Sequence, residues 1–179
     1  MKNKTDEYLV SEIASGKLDY STELFERYHK QLLNYFYRST RNLDDSKDLT
    51  QDVFIKVLKY ARSFKNGTSF KFWLFKIAKN LLNTYYSTIS KSRINVEISS
   101  EYNIEDEAFN VCAANDDETL FSAISKLPEE YRELIILSRF SRFKYSDIAE
   151  MYQTTEASIK NKLYRALMIL REIYFESVK

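Results

Sequence analysis

The chain has 179 residues, with 14 Tyr, 12 Phe and 1 Trp but only 2 Gly, 1 Pro, 1 Cys and 1 His. Two glycines far apart in sequence exclude a glycine-rich phosphate loop, and a single Cys and a single His exclude a disulfide framework and an ordinary zinc site. No stretch is apolar enough for a membrane span, and the first residues do not resemble a signal peptide. We therefore expect a cytoplasmic protein with no membrane contact of its own.

The net charge of +1 conceals a strong segregation of charge along the chain. Residues 1–93 carry 17 bases and 10 acids, residues 94–118 carry 8 acids and no base, and residues 119–179 carry 10 bases and 8 acids. Residues 53–93 hold nine bases and nine aromatic residues but no acid. Bases interleaved with aromatic rings suit a phosphate backbone and exposed nucleobases, so we favour a nucleic-acid ligand over a solvated lysine face.

Apolar residues at helical spacing predict three helices in the first part of the chain. They recur at every fourth position within residues 24–36 and 49–61. A third helix over about residues 70–87 carries a continuous apolar stripe that includes Trp73, which we assign to the core. The opposite face of this third helix carries Lys76, Lys79, Asn80 and Asn83.

The acidic segment has weak periodicity and is typical of an extended linker. Its 25 residues reach roughly 80 Å when fully extended. Two turns of duplex DNA span roughly 70 Å, so two domains joined in this way could contact two separate DNA sites. We predict a first domain over residues 1–92, a linker over 93–118 and a second domain over 119–179. A segment that mimics nucleic acid is the alternative interpretation of the linker.

The last part of the chain predicts a helix-turn-helix. A short helix over 121–127 precedes a second one that starts at Pro128, and a short helix over 146–152 precedes a long one over 156–176. The inward side of the long helix is expected to carry Ile159, Leu163, Leu167 and Leu170. Its outward side carries Ser158, Lys160, Asn161, Lys162 and Arg165. An ordinary packed helix pair is the alternative, but these cationic and amide side chains favour DNA.

Four strings of the sequence together resemble a known family. They are DDSKDLTQDVFIKVLKY (44–60), FKFWLFKIAKNLLNTYY (70–86), LPEEYRELIILSRF (127–140) and YSDIAEMYQTTEASIKNKLYRALMILRE (145–172). Their order resembles the extracytoplasmic-function (group IV) sigma factors of the sigma-70 family. The resemblance covers about residues 20–175 and implies an all-α fold. That fold has two small helical domains, sigma domain 2 and the helix-turn-helix sigma domain 4, joined by the acidic linker.

The resemblance and the helical spacing of the residues together predict three sets of functional residues. The set expected to bind core polymerase, on its beta-prime clamp helices, is Asp45, Asp48, Gln51, Asp52 and Phe54. The set expected to hold the −10 element is Phe64, Asn66 and Asn80 around a flipped base, with Lys71, Lys76 and Lys79 on phosphates. The set expected to contact the −35 element is Arg139, Ser158, Lys160, Asn161, Lys162, Tyr164 and Arg165.

The chain departs from the family pattern at several positions, two of which concern a Gly. The turn of the helix-turn-helix usually carries a Gly, whereas this chain has Gln153-Thr154-Thr155. A Gly is also frequent before the first helix of the pair, where this chain has Arg142-Phe143. These departures are expected to leave the fold intact.

A sigma factor is the leading hypothesis for function. It implies a non-enzymatic subunit without cofactor or metal. Its partners would be core RNA polymerase (through the beta-prime clamp helices and the beta flap), promoter DNA and an anti-sigma factor. One alternative is a free-standing helix-turn-helix regulator that binds duplex DNA without polymerase. Another is a metal-dependent nuclease built on Asp48 or Asp52.

Overall fold

The computed structural model describes residues 4–65, 67–93 and 118–177. These ranges are helical and contain no β-strand, which confirms the predicted all-α class. The α-helices are α1 (Asp6–Ala14), α2 (Tyr20–Thr40), α3 (Leu43–Tyr60), α4 (Phe70–Arg93), α5 (Glu118–Ser125), α6 (Glu129–Ile135), α7 (Tyr145–Met151) and α8 (Glu156–Ser177). A 3-10 turn, Ala61–Ser63, follows α3, and a π-helical turn, Ile136–Phe140, follows α6. The described residues form two compact units, 4–32 with 44–93 and 33–43 with 118–177.

Helix α1 is an element that the sequence analysis did not predict. The hydroxyl of Thr5 accepts a 3.2 Å hydrogen bond from the backbone N–H of Tyr8, which caps the first turn. The helix buries Leu9, Val10 and Ile13. A nine-residue helix is too short to be stable alone, so it depends on the packing of its three buried residues in the first unit.

The core of the first unit is formed by the apolar faces of α1 to α4. The residues predicted from i+4 spacing in α3 (Leu49, Val53, Val57) are buried. In α4, Phe75 is fully buried, whereas Trp73 of the predicted stripe is only half-buried. The buried face of α4 is therefore shifted slightly around the helix from the predicted stripe, toward Phe75.

The second unit encloses a buried carboxylate. Glu133 is 8% exposed and accepts a 2.7 Å hydrogen bond from the hydroxyl of Tyr35 and another from the hydroxyl of Tyr152. Burial, followed by the nearby charge of Glu133, raises the pKa of Tyr152 well above its ordinary range. Both donors keep the carboxylate satisfied, which a buried charge requires.

The side chain of Arg132 links three segments of the same unit. The guanidinium of Arg132 donates hydrogen bonds of 2.7 Å to the carbonyls of Ser39 and Ser125, and one of 2.9 Å to that of Leu127. These carbonyls end helices or lie in a connection, where backbone acceptors lack helical partners. The guanidinium therefore joins α5, α6 and the end of α2 inside the unit.

The connections around the helix-turn-helix contain two strained positions. Arg142 has φ +58° and Gln153 has φ +52°. Both lie in the left-handed region, where a side chain costs about 1–2 kcal/mol relative to Gly. They lie in the two connections where the family resemblance led us to expect a Gly. The backbone is thus left-handed at both positions although neither residue is Gly, which would adopt this conformation without strain.

Candidate functional site

One face of α3 is acidic and exposed. Asp48, Gln51 and Asp52 follow at i, i+3 and i+4, and all three are exposed. Ile55 continues the face and is 59% exposed. Asp45 differs from the other acids, because it is half-buried and its carboxylate accepts a 2.6 Å hydrogen bond from the hydroxyl of Tyr85.

Phe54 borders an open, mostly apolar cavity in the first unit. Its ring is half-buried and lies 4.8 Å, centroid to centroid, from the ring of Phe25, which is 41% exposed. The cavity has a volume of about 220 Å³ and is lined by Ile13, Ser21, Thr22, Leu24, Phe25, Phe54, Val57 and Leu58. Sequence reasoning found Phe54 but missed Phe25. The sequence offered one signal for Phe25, which is aromatic and directly follows Leu24, a residue of the apolar i+4 series.

The exposed face of α4 carries cations and amides without carboxylates. Lys76 and Asn80 are exposed, and neither side chain has a hydrogen bond or ion pair within the described residues. Lys71 and Lys79 are half-buried, and Lys71 Nζ lies 5.9 Å from the centroid of the Phe75 ring. The structure therefore gathers Lys76 and Asn80 on one open surface, with Lys71 and Lys79 partly covered at its edges.

Phe64 lies in an aromatic cluster of the first unit. Its ring is half-buried and meets the rings of Trp73 and Phe70 edge-on, at 5.4 Å and 6.1 Å between centroids. Phe70 is fully buried, so the cluster joins the core on one side. Asn66, the other residue predicted for this loop, lies outside the described residues.

The first half of α8 presents the residues predicted to contact duplex DNA. Among them, Lys160, Asn161, Tyr164 and Arg165 are exposed, and Tyr164 is 67% exposed. Ser158 and Lys162 are half-buried at the flank of this surface. Arg139 is exposed but belongs to the π-helical turn rather than to this helix.

One residue of α8 was assigned to the wrong face. Leu167 is 37% exposed, and Ala166 takes its place in the core together with Leu163 and Leu170. The spacing of buried residues changes from four to three at this point, since 3.6 residues per turn do not keep an i+4 series on one face. Met168, 41% exposed, extends the open surface beyond Tyr164.

The start of α8 is fixed by Thr155. Its hydroxyl accepts a 3.2 Å hydrogen bond from the N–H of Ser158, and its carbonyl accepts the first helical bond, 3.1 Å, from Ile159. This is the geometry of a helix N-cap. Because the residues predicted to contact DNA follow within three turns, Thr155 sets their position on the second unit.

Residues 4–65, 67–93 and 118–177 offer neither a membrane span nor a metal-binding cluster. No helix in these ranges is long and apolar enough to span a membrane. In the same ranges, no three or more His, Cys, Asp or Glu side chains are grouped so that they could hold a metal ion.

Comparison with known families accounts for both units. Residues 24–91 match Sigma-70 region 2, and residues 117–170 match Sigma-70, region 4. The chain belongs to the extracytoplasmic-function sigma factors of the sigma-70 family. Sigma factors are non-catalytic subunits of RNA polymerase, and membership supports this role over a free-standing regulator.

Individual relatives agree with this assignment. The chain is 30% identical over 147 residues to the RNA polymerase sigma factor SigV of Bacillus subtilis (strain 168), covering 80% of this chain and 84% of that protein. It is 28% identical over 155 residues to the sigma factor YlaC of the same organism, covering 84% and 89%. Among solved structures, it resembles the sigma factor RpoE of Bartonella quintana in complex with the anti-sigma factor NepR. That match has a TM-score of 0.69 and 26% identity, and covers 87% of this chain and 96% of that one.

Proposed function

We propose that this chain is an alternative sigma factor that binds core RNA polymerase and directs initiation at its own set of promoters. The observation that carries the proposal is the presence of region 2 and region 4 matches, in that order, in one chain. In this proposal residues 1–92 bind the core enzyme and the −10 strand, residues 119–179 read the −35 duplex and residues 93–118 connect them. The chain catalyses no reaction itself and needs no cofactor. The proposal implies a cytoplasmic site of action, where bacterial polymerase and promoters are found.

The acidic face of α3 is the proposed contact for the polymerase clamp helices. Exposed carboxylates at Asp48 and Asp52 suit a basic helical partner, and complementary charge mainly raises the association rate and selects the partner. The neighbouring cavity beside Phe54 adds apolar area, and burial of apolar area is the dominant favourable term in most protein–protein association. Asp45 contributes through the fold, because its carboxylate is engaged by Tyr85.

The exposed face of α4 is the proposed contact for the −10 strand. The ammonium of Lys76 suits a phosphate, and the amide of Asn80 can donate to and accept from a base edge. Phe64 offers a partly exposed ring beside Trp73. Taking one base out of the stack costs a few kcal/mol, and stacking on an aromatic ring recovers about 1–3 kcal/mol.

Helix α8 is the proposed reader of the −35 duplex. The second helix of a helix-turn-helix lies in the major groove, with its N-terminal residues on base edges. Asn161 suits adenine and Arg165 suits guanine, while Lys160 and Lys162 suit phosphates. Contact with the polymerase beta flap belongs to the same proposal for residues 119–179.

An anti-sigma factor is the proposed inhibitory partner. RpoE of Bartonella quintana was solved in complex with the anti-sigma factor NepR. A comparable partner of this chain would compete with the clamp helices for the acidic face and the apolar cavity of the first unit. Residues 94–117 of the predicted linker lie outside the described residues.

Co-elution with core RNA polymerase tests the proposal. The chain is mixed with bacterial core enzyme and passed over a sizing column, beside the double variant Asp48→Arg plus Asp52→Arg. The matched control is Asp19→Arg plus Glu26→Arg, which makes the same change in charge at exposed acids outside α3. We expect the wild type and the control to co-elute with the core enzyme and the α3 variant to elute alone. Tight duplex binding by a chain that ignores the core enzyme would instead establish a free-standing regulator.

A further inference from the structure

Both lysines proposed to contact phosphates at the start of α8 are held by carboxylates of the same unit. Lys160 Nζ lies 2.9 Å from the carboxylate of Glu156, one turn earlier in the helix. Lys162 forms an ion pair with Glu130 of α6. All four side chains are at least one-third exposed, so duplex DNA could reach both pairs.

Fold stability gives little reason for these pairs. Exposed ion pairs contribute only about 0–1 kcal/mol, because both side chains lose entropy and water screens the attraction. The core around α8 is formed by Ile159, Leu163, Ala166 and Leu170, none of which contacts DNA in the proposed role. We therefore expect these ion pairs to affect DNA binding more than folding.

An internal carboxylate changes the thermodynamics of phosphate binding. A free lysine that binds DNA displaces a counterion from the DNA, and this release drives sequence-independent affinity. A lysine that is already paired with a glutamate must give up that ion pair before it can bind a phosphate. A lysine–glutamate pair carries no net charge, so it neutralises less phosphate charge and releases fewer of the counterions condensed on the DNA. The nearby carboxylate also repels the phosphates.

We propose that Glu130 and Glu156 are internal counterions that weaken sequence-independent binding of α8 to duplex DNA. They leave discrimination to the exposed side chains of Asn161, Tyr164 and Arg165, none of which has an ion pair within the described residues. The inference rests on the proposed reading of duplex DNA by α8. It assigns a specificity role to two acids that are not expected to touch a base.

The test measures affinity and its dependence on salt. The full chain is titrated against a fluorescein-labelled random-sequence duplex of about 20 base pairs, two helical turns. Wild type is compared with Glu130→Gln plus Glu156→Gln between about 50 mM and 200 mM salt. We expect the variant to bind about tenfold more tightly at low salt, with a slope of log K against log salt steeper by up to about 2. A purely structural role for the glutamates would leave this slope unchanged.

Glu129→Gln plus Glu172→Gln is the matched control. Both residues are exposed, both lie in the second unit, and neither forms an ion pair among the described residues. This control likewise removes two negative charges, so its affinity for DNA should change only through the net charge of the chain. Thermal melts confirm that each variant is folded, since Glu156→Gln also removes a favourable charge from the first turn of α8.

A third variant separates this inference from the proposed function. Lys160→Gln plus Lys162→Gln should weaken duplex binding if α8 contacts DNA. If it does so while the glutamate variant behaves like its control, the internal-counterion role is wrong and the proposed reading by α8 stands. If the lysine variant binds duplex DNA as the wild type does, both the α8 surface and the role of its glutamates are wrong. Co-elution with core polymerase is independent of either result.

Discussion

The hydroxyl of Tyr85 donates a 2.6 Å hydrogen bond to the carboxylate of Asp45, which links α4 to α3 in the first unit. Asp45, Asp48 and Asp52 form one acidic edge when the sequence is drawn as a helix. The structure separates them, because Asp45 is half-buried and engaged while the other two are exposed. The edge therefore combines a residue that supports the fold with residues available to a partner.

Substitution of Asp45 should destabilise the chain. Asp45→Ala leaves the hydroxyl of Tyr85 without its charged acceptor, so we expect a loss of about 1–3 kcal/mol in the free energy of unfolding. Asp48→Ala, at an exposed position, should change it by less than about 0.5 kcal/mol. Urea unfolding followed by circular dichroism measures both values. Equal losses for the two variants would show that the Tyr85 contact does not stabilise the native state.

Glycine at position 153 should stabilise the second unit. Gln153 has φ +52°, and Gly adopts this region freely. Relief of about 1–2 kcal/mol of strain exceeds the added entropy of the unfolded chain, so Gln153→Gly should raise the stability by about 0.5–1 kcal/mol. The neighbouring Thr154→Gly, at a residue without positive φ, should lower the stability instead. Thermal melting temperatures of the two variants should shift in opposite directions.

Removal of the cap at the start of α8 should weaken both folding and DNA binding. Thr155→Ala loses the acceptor for the N–H of Ser158, and such losses cost about 1 kcal/mol. Thr155→Ser keeps the oxygen and should restore most of the stability. The measurement pairs a urea titration with duplex binding at fixed salt. An unchanged Thr155→Ala variant would mean that this hydroxyl does not fix the helix start.

Stability should fall in alkali partly through Tyr152. Its raised pKa means that the folded state holds the phenol proton more tightly than the unfolded state, in which the value is near 10.0. The stabilisation is therefore fully present below this value and is lost as the pH rises above it, at about 1.4 kcal/mol per pH unit. Tyr152→Phe should be less stable at neutral pH, because Glu133 loses a donor, but should show a shallower decline above pH 10.0. Urea titrations at several alkaline pH values, with the exposed Tyr164→Phe as control, measure the two slopes.

The apolar cavity beside Phe54 should contribute to polymerase affinity. Phe25→Ala removes an exposed ring from its lining, and truncation of an aromatic residue at an interface costs about 1–2 kcal/mol or more, at least a fivefold loss in affinity. Leu18→Ala is the control, since Leu18 is 57% exposed but does not line the cavity. Fluorescence titration of labelled chain with core enzyme compares them. A similar affinity for both variants would exclude the cavity from the interface.

The sequence correctly predicted the features that depend on local signals within one helix. The i+4 series in α3 and the start of α8 at Glu156 are where they were predicted, because apolar spacing and turn residues are local signals. It failed for α1, a short helix that needs the rest of the unit, and for Leu167, where an i+4 series drifts off the buried face. The site residues themselves stay a prediction, and the structure reports only which of them are exposed.

The sequence by itself determined the helical class, the order of the helices and the family to which they belong. These follow from periodicity, scarce glycine and proline, and four strings in a fixed order, all of which are written along the chain. Only the tertiary structure decided the partners of individual charges: Tyr85 for Asp45, Tyr35 for Glu133, and Glu130 for Lys162. The positions in each pair are separated by 40, 98 and 32 residues. Such contacts depend on the packing of whole helices, so no local pattern encodes them.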